Sequence, residues 1–175
     1  MSSGITKAPM LESVSRITER ETLRSLDDWC NKADLELFES VSYLVHRIIV
    51  ASLMGQDFFE HHVDELFDLL HEMEANVGSL WNMCMPAWVP HPAARRLWKA
   101  RDRVAEIFNE RLEARQREPE KWADAQDYVS YTLRDPKTAH LKHYYSAHHT
   151  LLMFAAHTST VALISWMVFE VCSDS

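Results

Sequence analysis

The stretch "LLMFAAHTSTVALISWMVF", residues 151–169, decides how this chain is read. It is an apolar helix interrupted by four polar residues in a row, His157, Thr158, Ser159 and Thr160. A core helix would carry Leu or Ala there. Three physical accounts compete. Ser and Thr can return their hydroxyls to the carbonyl four residues back and bend the helix slightly. Residues 150–171 are also about as long as a bilayer span, although His157 inside it and Glu170 near its end are costly in lipid. Finally, a hydroxyl and an imidazole beside a buried ligand can move protons, since free imidazole titrates near ~6.5. The small Ala155 and Ala156 just before the cluster would let the backbone approach a flat ligand closely.

The rest of the chain points to helices. It has 175 residues, 47% hydrophobic, with only three Gly and six Pro, and helix formers dominate. No run of alternating β-branched residues suggests a sheet. The net charge of −8 argues against nucleic acid as a partner, and the basic run "RRLWKARDR" at 95–103 reads as one solvated helix face. Cys30, Cys84 and Cys172 are widely spaced and odd in number, which suits a reducing compartment better than a disulfide framework. The N-terminal "MSSGITKAPMLESVSRITER" has no apolar signal core, so secretion is not expected. Ten histidines are many, yet there is no His-Glu-x-x-His and no Glu-x-x-His pair. His140, His143, His148 and His149 fall at roughly helical spacing and read as a polar face rather than a metal site.

The periodicity predicts amphipathic helices over 11–33, 35–53, 60–76 and 93–118, a short helix at 127–135 and a last one over 138–171. Asp34 is a candidate N-cap for the second and Gly55 its stop. Between the third and fourth lies "MCMPAWVPHP", with three prolines from Pro86 to Pro92. It reads as an apolar, tryptophan-bearing loop at 77–92.

Taken in order, these segments resemble the cytochrome P450 monooxygenases. "FAAHTSTVALISWMVFE" is similar to the family's long oxygen-binding helix, whose pattern is small-Gly-x-acid-Thr-Thr/Ser, with His in the acid position in the sterol-demethylase branch. His157 takes that position and Thr158 the hydroxyl position. "LFESVSYLVHRIIVASLMGQDF" resembles the family's fifth helix. The segment from Asp64 to Gln116, with its Trp/Pro loop and arginine-rich helix, resembles the substrate-access lid. "DAQDYVSYTLRD" falls where the short helix before the oxygen helix belongs.

The resemblance implies an all-α, partial cytochrome P450 fold in one domain over 1–175, about seven helices ending in one long central helix, with the heme-ligand half missing. It implies Thr158 as the hydroxyl that donates to dioxygen and His157 as a proton relay. Phe154 and Ala155 would face the heme, and Trp81, Trp88 and Pro90 would line the substrate-access channel. Intact relatives would use heme, dioxygen and NADPH-derived electrons from a reductase on a lipophilic substrate such as a sterol, terpenoid or polyketide, in fungal secondary metabolism. The expected location is the cytoplasm or the endoplasmic-reticulum membrane surface. The chain departs from the family where Ala155 replaces Gly and Phe154 a small residue. It also holds no Phe-x-x-Gly-x-x-x-Cys-x-Gly loop and no Glu-x-x-Arg after residue 171. Stable heme binding by this chain alone is therefore not expected. Two other readings stay open: a non-catalytic helical protein that self-associates or pairs with another chain through an exposed apolar core, and a membrane protein anchored by 150–171.

Overall fold

The computed structural model describes residues 8–85 and 88–173. Residues 1–7 of the N-terminal stretch read above for a signal, and Pro86 and Ala87 of the tryptophan loop, lie outside these. Seven α-helices and no strand form among the described residues: α1 (Ala8–Cys30), α2 (Leu37–Ile49), α3 (Gln56–Val77), α4 (Leu80–Cys84), α5 (Pro92–Arg117), α6 (Tyr128–Arg134) and α7 (Tyr145–Ser173). α3 packs along α5, and α2 lies against both α1 and α7.

Local chemistry sets most of the boundaries. α2 is capped by the Glu36 carboxylate, which accepts from the Glu39 amide at 2.5 Å, so the helix starts three residues past the Asp34 cap read from the sequence. At its other end α2 widens into a π-helical turn, Val50–Met54, before Gly55 stops it with φ 103°. α5 opens on Pro92, behind His91, whose Nδ1 accepts from the Ala94 amide at 3.2 Å. Ser79 caps the one-turn α4, which lies inside the stretch expected to be loop.

The last helix also starts later than its apolar pattern suggested. Pro136–Tyr144 winds as a 3₁₀ segment. Asp135 takes the Lys137 amide at 2.9 Å, and the Thr138 hydroxyl lies 2.7 Å from the Thr132 carbonyl. The Tyr145 hydroxyl closes on the Thr132 and Thr138 carbonyls at 3.0 Å each. These side chains hold the segment in the tighter winding, and α7 proper begins at Tyr145.

The core gathers Val41, Val45, Met54, Phe58, Leu66, Leu70, Val104, Ile107, Phe108, Met153 and Val161. α2 is buried on most of its sides, as its apolar run "LVHRII" indicates. α7 differs. Only the stripe Tyr145, His149, Met153, His157 and Val161 is buried at four-residue spacing, with Thr150 beside it. Leu151, Leu163, Trp166, Met167, Phe169 and Val171 stand exposed.

One polar cluster lies within this core. The Arg115 guanidinium, buried at the end of α5, meets Asp57 at the start of α3, Asp127 and Ser130 at the start of α6, and the Met54 carbonyl at the end of the π-turn. Its bonds to Asp127, Ser130 and Met54 measure 2.7, 2.8 and 2.7 Å. The Trp122 ring covers it at 4.7 Å. Burial alone would lower the arginine's pKa, but the bonds and charges of Asp57 and Asp127 outweigh that and raise it. A second buried pair, Arg47 Nη2 to Glu21 Oε2 at 2.7 Å, ties α2 to α1.

Two substitutions test this cluster by urea denaturation. Arg115→Ala leaves two buried carboxylates without their cation and should cost about 3–5 kcal/mol. Gly55→Ala should cost about 1–3 kcal/mol, because a Cβ there would meet Arg115 Nη2 at 2.5 Å at a φ of 103°. Wild-type midpoints in both variants would remove the cluster from its central place.

Candidate functional site

The buried stripe of α7 carries His157 into the seam between α2 and α3. Its Nδ1 lies 3.1 Å from Glu74 Oε1 on α3. Its Nε2 lies 3.2 Å from both the carbonyl and the hydroxyl of Ser42 on α2. Nδ1–H can donate to the carboxylate, and Nε2 can either donate to the Ser42 carbonyl or accept from the Ser42 hydroxyl.

Glu74 also receives the next residue of the polar run. The Thr158 hydroxyl lies 2.8 Å from the same Oε1, and 3.0 Å from the Phe154 carbonyl behind it. Burial would raise the Glu74 pKa, but the hydrogen bonds from His157 and Thr158 outweigh it and hold the carboxyl below its ordinary range. One carboxylate oxygen therefore joins a buried imidazole to a hydroxyl at the surface. The polar run also shows the back-bonding expected of Ser and Thr, with Ser159 Oγ 2.8 Å from the Ala155 carbonyl.

Two more imidazoles surround the site. His71 Nδ1 donates to the Phe67 carbonyl at 3.1 Å, and its Nε2 stands 3.5 Å from Ser42 Oγ. His46 is wholly buried with its ring centroid 6.0 Å from that of His157. Its Nε2 donates to the Val63 carbonyl at 2.8 Å, and its Nδ1 has no partner. Burial pushes the His46 pKa down to about 4, and the neighbouring His157 and His71 push the same way.

The structure separates the residues singled out in the sequence. Thr158 and Ala155 lie on the open face of α7, and His157 on its buried face. Phe154, one residue from Ala155, is half-buried and packs on the core. Trp81, Trp88 and Pro90 are all exposed, Trp88 to 81%. The Trp81 ring lies 6.4 Å from that of His91, and α4 rests on α5 rather than on α7. His140 and His143 are exposed on the 3₁₀ segment, while His149 is buried. Among the described residues no three His, Cys, Asp or Glu side chains converge on a metal position. The three cysteines are exposed and free. Two helical stretches, Leu37–Met54 and Pro136–Ser173, are long and apolar enough to cross a membrane; the first is mostly buried in the core, the second mostly not.

His157 and Thr158 stand out in the sequence, whereas Glu74, Ser42 and His71, which surround them in the fold, do not. Their contacts with α7 span 83 residues for Glu74 and 115 for Ser42. A carboxylate on a charged helix and a serine on an apolar one carry no local sign of that pairing.

No protein-family model matches the chain. Individual relatives do. It is 56% identical over 174 residues to the cytochrome P450 monooxygenase pytD of Aspergillus terreus, covering 97% of this chain and 46% of that protein. It is 55% identical over 170 residues to the cytochrome P450 monooxygenase pynD of Aspergillus niger, covering 97% of this chain and 35% of that protein. To the lanosterol 14-alpha demethylase of Homo sapiens it is 26% identical over 176 residues, 99% of this chain and 34% of that protein. The chain thus spans less than half the length of the curated relatives it matches.

The buried imidazoles set a pH dependence. His149, like His46, is pushed down to about 4 by burial. Between pH 6.5 and 4 the unfolded chain takes up a proton at each ring and the folded chain does not, so stability is present above that window and falls as pH drops through it. The loss is at most of order 3 kcal/mol per histidine. Glu74 adds a further loss below the ordinary glutamate range, because its folded pKa is depressed. Urea midpoints measured from pH 7 to 4.5 should fall steadily, and His46→Leu should flatten part of the slope.

Proposed function

Because this chain belongs to the cytochrome P450 family over almost its whole length, we propose that it forms the oxygen-side wall and the substrate entrance of a heme monooxygenase. The observation that carries this reading is Glu74, whose single Oε1 holds His157 at 3.1 Å and Thr158 at 2.8 Å. That is a proton path from a buried imidazole to a hydroxyl on an open helix face.

The open face suits one side of a flat, largely apolar ring. Ala155 is small, Thr158 and Ser159 carry hydroxyls, and Leu151 and Leu163 flank them, all exposed. Ala155 and Thr158 would lie against heme, with Phe154 at the margin, and no cysteine sits among them. Cys172 is 14 residues further along α7, about 21 Å at 1.5 Å per residue. By the family resemblance, the thiolate ligand is expected from a cysteine loop outside the matched segment. Heme, when bound, supplies the activation of dioxygen with electrons drawn from NADPH through a reductase, so that one oxygen atom enters a lipophilic substrate.

This chain's own residues manage the proton. In the resting arrangement Glu74 accepts from both His157 Nδ1–H and the Thr158 hydroxyl. Transfer of the Nδ1 proton to Oε1 turns that oxygen from acceptor into donor towards Thr158. The Thr158 proton is then free to point out of the open face, where general-acid delivery is worth about 10²–10⁴ in rate. Trp81, Trp88 and Pro90 form the entrance. With the exposed Leu80 and Met83 they offer an apolar surface to the endoplasmic-reticulum membrane, from which a sterol, terpenoid or polyketide could enter. The Aspergillus relatives favour a setting in fungal secondary metabolism.

The exposed row Leu163, Trp166, Met167, Phe169 and Val171 favours a second property of the chain by itself, self-association through that face. Size-exclusion chromatography of the 175-residue chain should show species larger than the 20.4 kDa monomer.

The decisive experiment is a chimera in which this chain replaces the matched segment of the Aspergillus terreus relative. It should incorporate heme and give the thiolate-type absorbance of a reduced carbon-monoxide complex. Within it, Thr158→Ala should keep the spectrum but divert NADPH electrons to hydrogen peroxide, and Glu74→Gln should cut product formation about 10²-fold. A chimera that folds but takes up no heme, while its parent does, overturns the reading. Hemin titrated into the 175-residue chain alone should give no thiolate-type band. Such a band would assign the ligand to Cys30, Cys84 or Cys172.

A further inference from the structure

The proton path described above ends inside the protein at His157 Nε2, and the side chains beyond that nitrogen have no assigned role. They are arranged as a line. Ser42 Oγ on α2 lies 3.2 Å from His157 Nε2 and 3.5 Å from His71 Nε2 on α3. The second distance is long for a hydrogen bond, a common state for relay contacts in a resting protein. His71 Nδ1 is committed to donating to the Phe67 carbonyl at 3.1 Å, so neutral His71 presents a bare, accepting Nε2 to Ser42. His71 is also only half-buried, whereas His157 and Ser42 are buried. One imidazole at the water boundary, one hydroxyl and one buried imidazole are therefore in series.

We propose that Ser42 and His71 form a second arm of the relay, through which His157 exchanges its proton with water. The step conserves protons. With the ring swung off Ser42, His71 Nε2 takes a proton from water; when the ring returns, that proton passes to Ser42 Oγ as the Ser42 hydroxyl proton passes to Nε2 of a neutral His157. His157 becomes imidazolium, His71 returns to its neutral form, and Nδ1–H of His157 stays on Glu74 throughout. The reverse step unloads His157 the same way. The hydroxyl can both accept and donate, so no rearrangement of the backbone is needed.

The surroundings keep the proton on this line. From α2, His46 approaches both rings but holds its Nε2–H on the Val63 carbonyl and stays neutral. From α3, Glu74 faces His157 and Asp64 is held by the Tyr43 hydroxyl at 2.6 Å. From α7, only the Thr158 hydroxyl joins the network. The Phe67 ring, 4.2 Å from His71 by centroids, shields the flank of the arm.

This inference rests on the reading of His157 as a proton relay, but its test needs no heme. The 175-residue chain is labelled with ¹⁵N-histidine, and the ring tautomers and the water-exchange rate of the His157 N–H protons are read by NMR. His71 should appear as the Nδ1–H tautomer. Ser42→Ala and His71→Phe should each slow exchange at His157 Nε2–H by at least about tenfold, with amide spectra confirming the fold. His71→Gln preserves a hydrogen-bonding group that cannot carry the proton, and should be as slow as His71→Phe. Unchanged exchange in the His71 variants, restoration by Gln, or an Nε2–H tautomer of His71 each overturns the proposal. The His71 variants decide the matter if Ser42→Ala does not fold. A slow-exchange phenotype in a chain whose chimera takes up no heme would sink the monooxygenase reading and leave the relay standing; heme uptake with unchanged exchange would do the opposite.

Discussion

Four helix ends meet at one cation. The Arg115 guanidinium draws together the end of the π-turn after α2, the start of α3, the last turns of α5 and the cap of α6. None of these contacts is local: 58 residues separate Arg115 from Asp57 and 61 from Met54. A buried guanidinium is stable only if its donors are met and its charge is balanced, and here two carboxylates, a hydroxyl and a carbonyl do both. The geometry leaves no freedom at Gly55. The backbone must turn sharply between the π-turn and α3, with the arginine against its α-carbon. That turn aims α3 back along α5, and α3 is the helix that brings Glu74 and His71 to α7. The seam of Glu74, His157 and Thr158 therefore depends on an ion cluster that takes no part in it.

What could be read from the chain divides by range. The all-helical class, the order of the helices, the Gly55 stop and the break before α5 all rest on signals within one helical turn or one turn sequence. Those signals survive folding because the caps and prolines act where they stand. Errors fell where a distant side chain competes with local pattern. The apolar run that suggested a helix from Thr138 is drawn into 3₁₀ winding by Thr132 and Tyr145. The tryptophan loop hides a single capped turn.

The site divides the same way. His157 and Thr158 were legible because a polar run inside an apolar helix is conspicuous in one dimension. Ser42 and His71 were not, because an imidazole facing water and a serine in an apolar helix each have an ordinary reading. Phe154 and Ala155 were grouped by the family pattern whose small positions they occupy. Consecutive helical residues diverge by about 100°, and the structure sends Phe154 towards the core and leaves Ala155 outside.

The distribution of polarity in α7 gives the site its sense. Apolar helices normally bury their hydrocarbon and expose their polar atoms. α7 does something else: its buried stripe includes two imidazoles, and much of its leucine, tryptophan and phenylalanine faces outward. The imidazoles are stable inside because Glu74, Ser42, the Tyr145 carbonyl and Thr132 meet their nitrogens. The outward face has no such compensation within these residues and calls for a second apolar surface. Thr158 stands where the two faces meet, bonded inward to Glu74 yet exposed outward. The hydrogen-bonded line from buried His157 through Glu74 therefore ends at one hydroxyl, on the outward face. That convergence is a property of α7 packed between α2 and α3.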